Sequence, residues 1–131
     1  MSKSPTIILV EDEKQQREAL EMLLESEGYN VVAVDSAEKA IEQFGRGNTN
    51  MIVTDVKLPG MDGISMFEQV RENPSLRQIP FIFITGYNDP AAIKRVKKLG
   101  AAGYVTKPYE LEALLEMIKK LLPIHGIAAS R

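Results

Sequence analysis

The sequence predicts an α/β domain built on one parallel sheet with helices on both faces. Two observations predict it. Apolar runs of strand length alternate with helix-period patterns five times along the chain. The runs are continuously apolar rather than alternating, as strands buried on both faces are. A length of 131 residues suits one domain with a sizeable core and is too short for two ordinary ones.

Each element has its own signal. Thr6-Ile7-Ile8-Leu9-Val10 is β-branched and unbroken, a first strand. Residues 14–27 follow as a helix in which Leu20, Leu23 and Leu24 share one face, and Gly28 ends it. Val31-Val32-Ala33-Val34 is a second strand. Asp35 or Ser36 caps the next helix, whose apolar face is Ala37, Ala40, Ile41 and Phe44, and Gly45 and Gly47 stop it. Met51-Ile52-Val53-Thr54 is the third strand. After a Pro-Gly loop, a helix over residues 63–71 buries Ile64, Phe67 and Val70. Gly60 and Gly63 are read as glycines that supply positive φ in that turn. The fourth strand is residues 80–84, with Pro80 at its first position. Asp89 caps a fourth helix with Pro90 at its first position and Gly100 after it. Residues 101–105 form a short fifth strand. The last helix starts after Pro108 and buries Leu111, Leu114, Leu115, Ile118 and Leu122 before Pro123 closes it. The domain thus spans residues 6–122, with a flexible N-terminal segment at 1–5 and a loose tail at 123–131.

Composition narrows the partners. A net charge of −2 gives no electrostatic case for direct binding of nucleic acid or an anionic membrane. The first apolar run is too short for a signal peptide or a membrane span. The chain has no cysteine, so disulfides, thiolate metal sites and cysteine nucleophiles are excluded, and a cytoplasmic location is the expectation.

Right-handed crossovers put the carboxyl ends of all five strands on one edge of the sheet. What stands there is chemical. The first strand runs into Glu11-Asp12-Glu13, the third into Asp55, the fourth into Thr85-Gly86, the fifth into Thr106-Lys107-Pro108. Clustered carboxylates need a counter-charge, and a hard divalent cation such as Mg²⁺ suits oxygen ligands. An ammonium, a hydroxyl and a backbone N–H complete a site for a phosphoryl group, with a carboxylate as its acceptor.

On these residues the chain resembles a response-regulator receiver domain of two-component signalling. The matching elements are Val10-Glu11-Asp12-Glu13, Asp55 to Gly63, Ile84-Thr85-Gly86 and Gly103-Tyr104-Val105-Thr106-Lys107-Pro108, in family order over almost the whole chain. The resemblance implies a flavodoxin-like (βα)5 fold with strand order 2-1-3-4-5. It implies Asp55 as phosphoacceptor, Asp12 as direct Mg²⁺ ligand, Glu11 acting through water, and the backbone carbonyl of Lys57 as a further metal ligand. Thr85 becomes a switch hydroxyl, Lys107 and the Gly86 N–H phosphate-binding groups, Tyr104 an aromatic relay, and the Lys107–Pro108 bond cis. The implied partners are a sensor histidine kinase or phosphotransfer protein upstream and a target protein or fused output domain downstream, with a homodimer also open.

The plainer readings are a turn residue for Asp55, helix caps for Glu11 and Asp12, a strand-end threonine for Thr85, a solvated lysine for Lys107 and half-buried core for Tyr104. For the basic run Lys94, Arg95, Lys97 and Lys98 it is a solvated helix face, against a partner-binding face by resemblance. His125 lies in the tail and is not catalytic. Lys57 and Tyr87, each two residues beyond a site residue, are expected to border the phosphoryl group, with Tyr87 obstructing the hydrolytic water. Two rival classes are weaker. A Mg²⁺-dependent phosphohydrolase with an Asp nucleophile would carry a second carboxylate where Lys57 stands. A flavodoxin-like nucleotide or flavin binder would want a small-residue phosphate loop where Glu11-Asp12-Glu13 stands.

Overall fold

The computed structural model describes residues 4–124. Five parallel strands, β1 (Thr6–Val10), β2 (Asn30–Val34), β3 (Met51–Asp55), β4 (Phe81–Gly86) and β5 (Gly103–Lys107), alternate with five helices, α1 (Lys14–Ser26), α2 (Ala37–Gln43), α3 (Gly63–Arg71), α4 (Pro90–Leu99) and α5 (Leu111–Leu121). The strands lie in the order β2-β1-β3-β4-β5. Both the alternation and the order match expectation.

Because side chains alternate across a strand, each strand feeds two cores. Ile8, Val10, Ile52, Phe81 and Phe83 point to one face, where α2, α3 and α4 bring Ala37, Ala40, Ile64, Phe67, Val70, Ala92 and Val96. Ile7, Leu9, Met51, Val53, Ile82 and Ile84 point to the other, where α1 and α5 bring Leu20, Leu24, Leu114, Leu115 and Ile118. On the first face Phe67 meets Phe81 edge-on at 4.9 Å, and the Arg71 guanidinium covers the Phe67 ring at 4.4 Å.

Several boundaries shift. β4 and β5 both run further toward the carboxyl edge than the apolar pattern suggests, because Thr85 pairs with Thr106 and Gly86 with Lys107 in the ladder. β5 begins at Gly103, not at residue 101. α2 ends at Gln43 with Phe44 as its cap residue. Ser36, not Asp35, caps α2 by accepting from the Lys39 N–H at 3.2 Å, while Asp35 pairs with the Lys39 ammonium at 3.0 Å. Leu111, expected in the core, is 40% exposed because, as the first residue of α5, it overhangs the edge of the core. The 3-10 turn Pro74–Leu76 had no periodic signal.

Both ends of the described chain are fastened. The Asn30 backbone N–H and side-chain amide donate to the carbonyls of Pro5 and Ser4. The Tyr29 hydroxyl donates to the Leu122 carbonyl at 2.6 Å, and Ile124 packs against the core under α1 and α5. His125 and the rest of the tail lie outside the described residues.

Candidate functional site

The carboxyl edge of the sheet is built by short extensions of the core strands. Glu11 follows β1 directly. Its N–H donates to the Val34 carbonyl, its carbonyl accepts from Arg17, and its Oε2 accepts from the Glu13 N–H. Asp55 is the last residue of β3, paired in register with Ile84 and only 3% exposed. Its carbonyl accepts the Thr54 hydroxyl at 2.9 Å. Gly63 packs against that same carbonyl so closely that a Cβ would overlap it. The glycine at 63 is therefore required by close approach, whereas Gly60, with φ 76°, is the one that meets the expectation of positive φ.

Three carboxylates converge. One oxygen each from Glu11, Asp12 and Asp55 lies within 4.8 Å of the others. Glu11 and Asp55 are buried, while Asp12 is exposed at the mouth. Lys107, 33% exposed, reaches in from β5 with its ammonium 3.3 Å from Asp55 Oδ2 and 3.4 Å from Glu11 Oε1. The contact to Asp55 is a hydrogen bond; that to Glu11 is an ion pair without hydrogen-bond alignment. One ammonium thus serves two buried carboxylates. Burial first, then the neighbouring Glu11 carboxylate, pushes the Asp55 carboxyl up to about 8 against the opposing pull of Lys107. Burial lowers the Lys107 pKa, but Asp55 and Glu11 more than reverse it, so the ammonium stands above its ordinary value.

Glu11 Oε1, Asp55 Oδ1 and Thr85 Oγ1 are buried and have no hydrogen-bond partner among the described residues. Buried polar atoms left open in this way are the exception in folded proteins. Two of them are carboxylate oxygens facing a third acid, which is the donor set a hard divalent cation takes. The residues present therefore fit Mg²⁺. The crevice beside them, about 320 Å³, is lined by Asp12, Asp55, Lys57, Thr85, Asn88 and Lys107, among others.

The structure thus brings together Glu11, Asp12, Asp55, Lys57, Thr85, Gly86 and Lys107, all expected at this edge. The Lys107–Pro108 bond is cis. Tyr104 is not part of the crevice. It is half-buried on β5 against the α4 side of the sheet, with the Lys97 ammonium 5.8 Å from its ring. Tyr87 departs from expectation. It is 71% exposed and lines a neighbouring groove of about 660 Å³ rather than the crevice, because the chain turns after Gly86 to start α4. Asn88 and Asp89 stand at the crevice instead. Tyr109 also escaped the sequence reading. Its hydroxyl is pushed up to about 12 by burial, then by the charges of Glu11 and Asp55. The one available signal was an aromatic residue directly after Lys107-Pro108.

The sequence model of the response regulator receiver domain matches residues 7–119. The chain belongs to that family. A receiver is a signalling switch of two-component systems rather than a turnover enzyme, and its place in such systems implies partnering with a histidine kinase. Among curated proteins, this receiver is 31% identical to the two-component response regulator ORR11 of Oryza sativa, over 91% of the chain and 82% of that protein. It is 35% identical to the response regulator protein FleR of Pseudomonas aeruginosa, over 87% of the chain but only 24% of that much longer protein. The receiver domain of a signal transduction histidine kinase from Syntrophus aciditrophicus superposes with a TM-score of 0.84 at 33% identity, covering 91% of this chain and 90% of that one. The non-phosphorylated HemR receiver domain of Leptospira biflexa gives 0.83 at 26% identity, covering 92% and 96%. Among the described residues, no helix is long and apolar enough to cross a membrane.

Proposed function

We propose that this receiver takes a phosphoryl group onto Asp55 from a phosphohistidine on a sensor kinase or phosphotransfer protein. The observation that carries the reading is Asp55 itself, a buried carboxylate at the wall of the crevice with Oδ2 held by Lys107 and Oδ1 without a partner among the described residues. Asp55 Oδ1 attacks phosphorus, the phosphorus–nitrogen bond breaks, and the donor imidazole leaves with that electron pair. Mg²⁺ held by Asp12, Asp55, the Lys57 carbonyl and, through water, Glu11 would neutralise charge on the phosphoryl oxygens. Lys107 and the Gly86 N–H bind the transferred oxygens. Thr85, whose hydroxyl has no partner in the resting chain, is free to turn to them.

That movement shifts a two-state equilibrium on the face made by α4, β5 and α5, where Tyr104 sits. The exposed cations Lys94, Arg95, Lys97 and Lys98 lie on that face and suit a downstream protein, a fused output domain or a second receiver. The setting is cytoplasmic. Acetyl phosphate with Mg²⁺, read by intact mass, tests the reading. A gain of one phosphoryl group in the wild type and none in Asp55→Ala is the expected result. Equal gain in both defeats it.

A further inference from the structure

The loop after Asp55, residues 57–62, carries Lys57 into the crevice and so influences any group bound there. At its base the loop is closed by the Gly63 N–H donating to the Val56 carbonyl at 2.8 Å. Leu58 and Met61 pack partly into the core beneath it. On its outer side lies Glu38, in the first turn of α2. Glu38 Oε2 accepts the Met61 N–H at 3.1 Å. Among the described residues this is the loop's only hydrogen bond to an element other than β3 or α3. The same oxygen fills the space that Gly60 leaves open, since a Cβ there would stand 2.9 Å from it. Two adjacent loop residues are thus fitted around one carboxylate that is remote in sequence.

We propose that Glu38 is a positioning residue for the acidic crevice. Through the Met61 N–H it fixes the 57–62 loop, and with it the Lys57 backbone, at the spacing the crevice needs to hold a divalent cation. The inference rests on the reading of that crevice as a Mg²⁺ and phosphoryl site. Glu38 touches neither the cation nor the phosphoryl group. It works by reducing the number of loop conformations the cation must select among when it binds. A purely local role, an acid at a helix N-terminus, makes a different forecast, because it depends on the charge and not on the acceptor.

The test is a Mg²⁺ titration of the wild type, Glu38→Ala and Glu38→Gln without any phosphodonor, followed by amide chemical shifts. Hydrogen exchange at the Met61 amide is measured on the same metal-free samples. The Gln variant keeps an acceptor oxygen and loses the charge. We expect Glu38→Ala to bind Mg²⁺ about three- to tenfold more weakly, the worth of one hydrogen bond, and to exchange the Met61 amide faster. Glu38→Gln stays within about twofold of the wild type in both. Equal Mg²⁺ affinity in the wild type and Glu38→Ala overturns the inference and leaves the site reading intact. A Gln variant as weak as the Ala variant overturns it too, in favour of the charge. A wild type that binds no Mg²⁺ overturns the site reading and this inference with it.

Discussion

Each central strand has two regions with opposite design. Along Ile7–Val10, Met51–Val53 and Phe81–Ile84 every side chain is apolar and buried. One or two steps further toward the carboxyl edge stand the buried residues Glu11, Thr54, Asp55 and Thr85. Thr54 spends its hydroxyl on the Asp55 carbonyl, while Glu11, Asp55 and Thr85 each have a side-chain oxygen without a hydrogen-bond partner among the described residues. The strand interiors maximise what burial contributes, and the strand ends give some of it back. The difference teaches that a preformed site can be recognised by where a well-packed sheet stops satisfying its own polar groups.

The largest test of that contrast is Asp55→Asn. It should abolish phosphoryl acceptance from acetyl phosphate while making the metal-free protein more stable above pH 8. The sign follows from the raised pKa. In the folded chain burial and the neighbouring Glu11 push the Asp55 carboxyl up to about 8, against about 3.9 for an unperturbed Asp. Its stabilising contribution is therefore complete below the unfolded value and is lost as pH rises through about 8. The advantage of Asp55→Asn should grow over that window to about 1–3 kcal/mol, measured by urea unfolding in EDTA. An advantage that is flat with pH would show that Asp55 ionises without strain.

Phe81→Ala probes the other region. Removing a fully buried ring that packs on Phe67 and Phe83 should cost about 3–5 kcal/mol. The folded fraction should still accept phosphate, because Phe81 lies at the far end of β4 from Thr85. A smaller effect is expected from Thr85→Ala. The resting hydroxyl has no partner to lose, so stability should change by about 1 kcal/mol or less. Asp55 should still be modified by beryllofluoride, but the chemical-shift change at Tyr104 should vanish from the amide spectrum. Persistence of that change would remove Thr85 from the switch. The smallest effect belongs to Tyr87→Ala. Since Tyr87 lies outside the crevice, the decay of phosphorylated Asp55 should stay within about twofold of the wild type. A severalfold change would restore the obstruction expected from sequence.

Much of this site is legible in the sequence. Once five βα units are read, the topology alone gathers Glu11, Asp12, Asp55, Thr85 and Lys107 at one edge. The strand order was not in the periodicity; it came with the resemblance. What escaped depends on turns and on contacts between loops, which have no period to read. Counting two residues on from Thr85 reaches Tyr87, but the Asp89 N–H bonds back to the Gly86 carbonyl, and this turn presents Asn88 and Asp89 to the crevice instead. Glu38 and Met61 are 23 residues apart, and neither has a local feature announcing the other. Leu111 fits the apolar stripe of α5, yet a helix's first residue can overhang the core it points toward.

Gly63 contributes no side chain, yet any substitution there drives a carbon into the Asp55 carbonyl. Displacing that carbonyl moves the carboxylate on the same residue, the proposed phosphoryl acceptor. A screen for silent switches should therefore return Gly63 alongside Asp55, Thr85 and Lys107. Its variants should regain function only with second changes that draw α3 away from the end of β3.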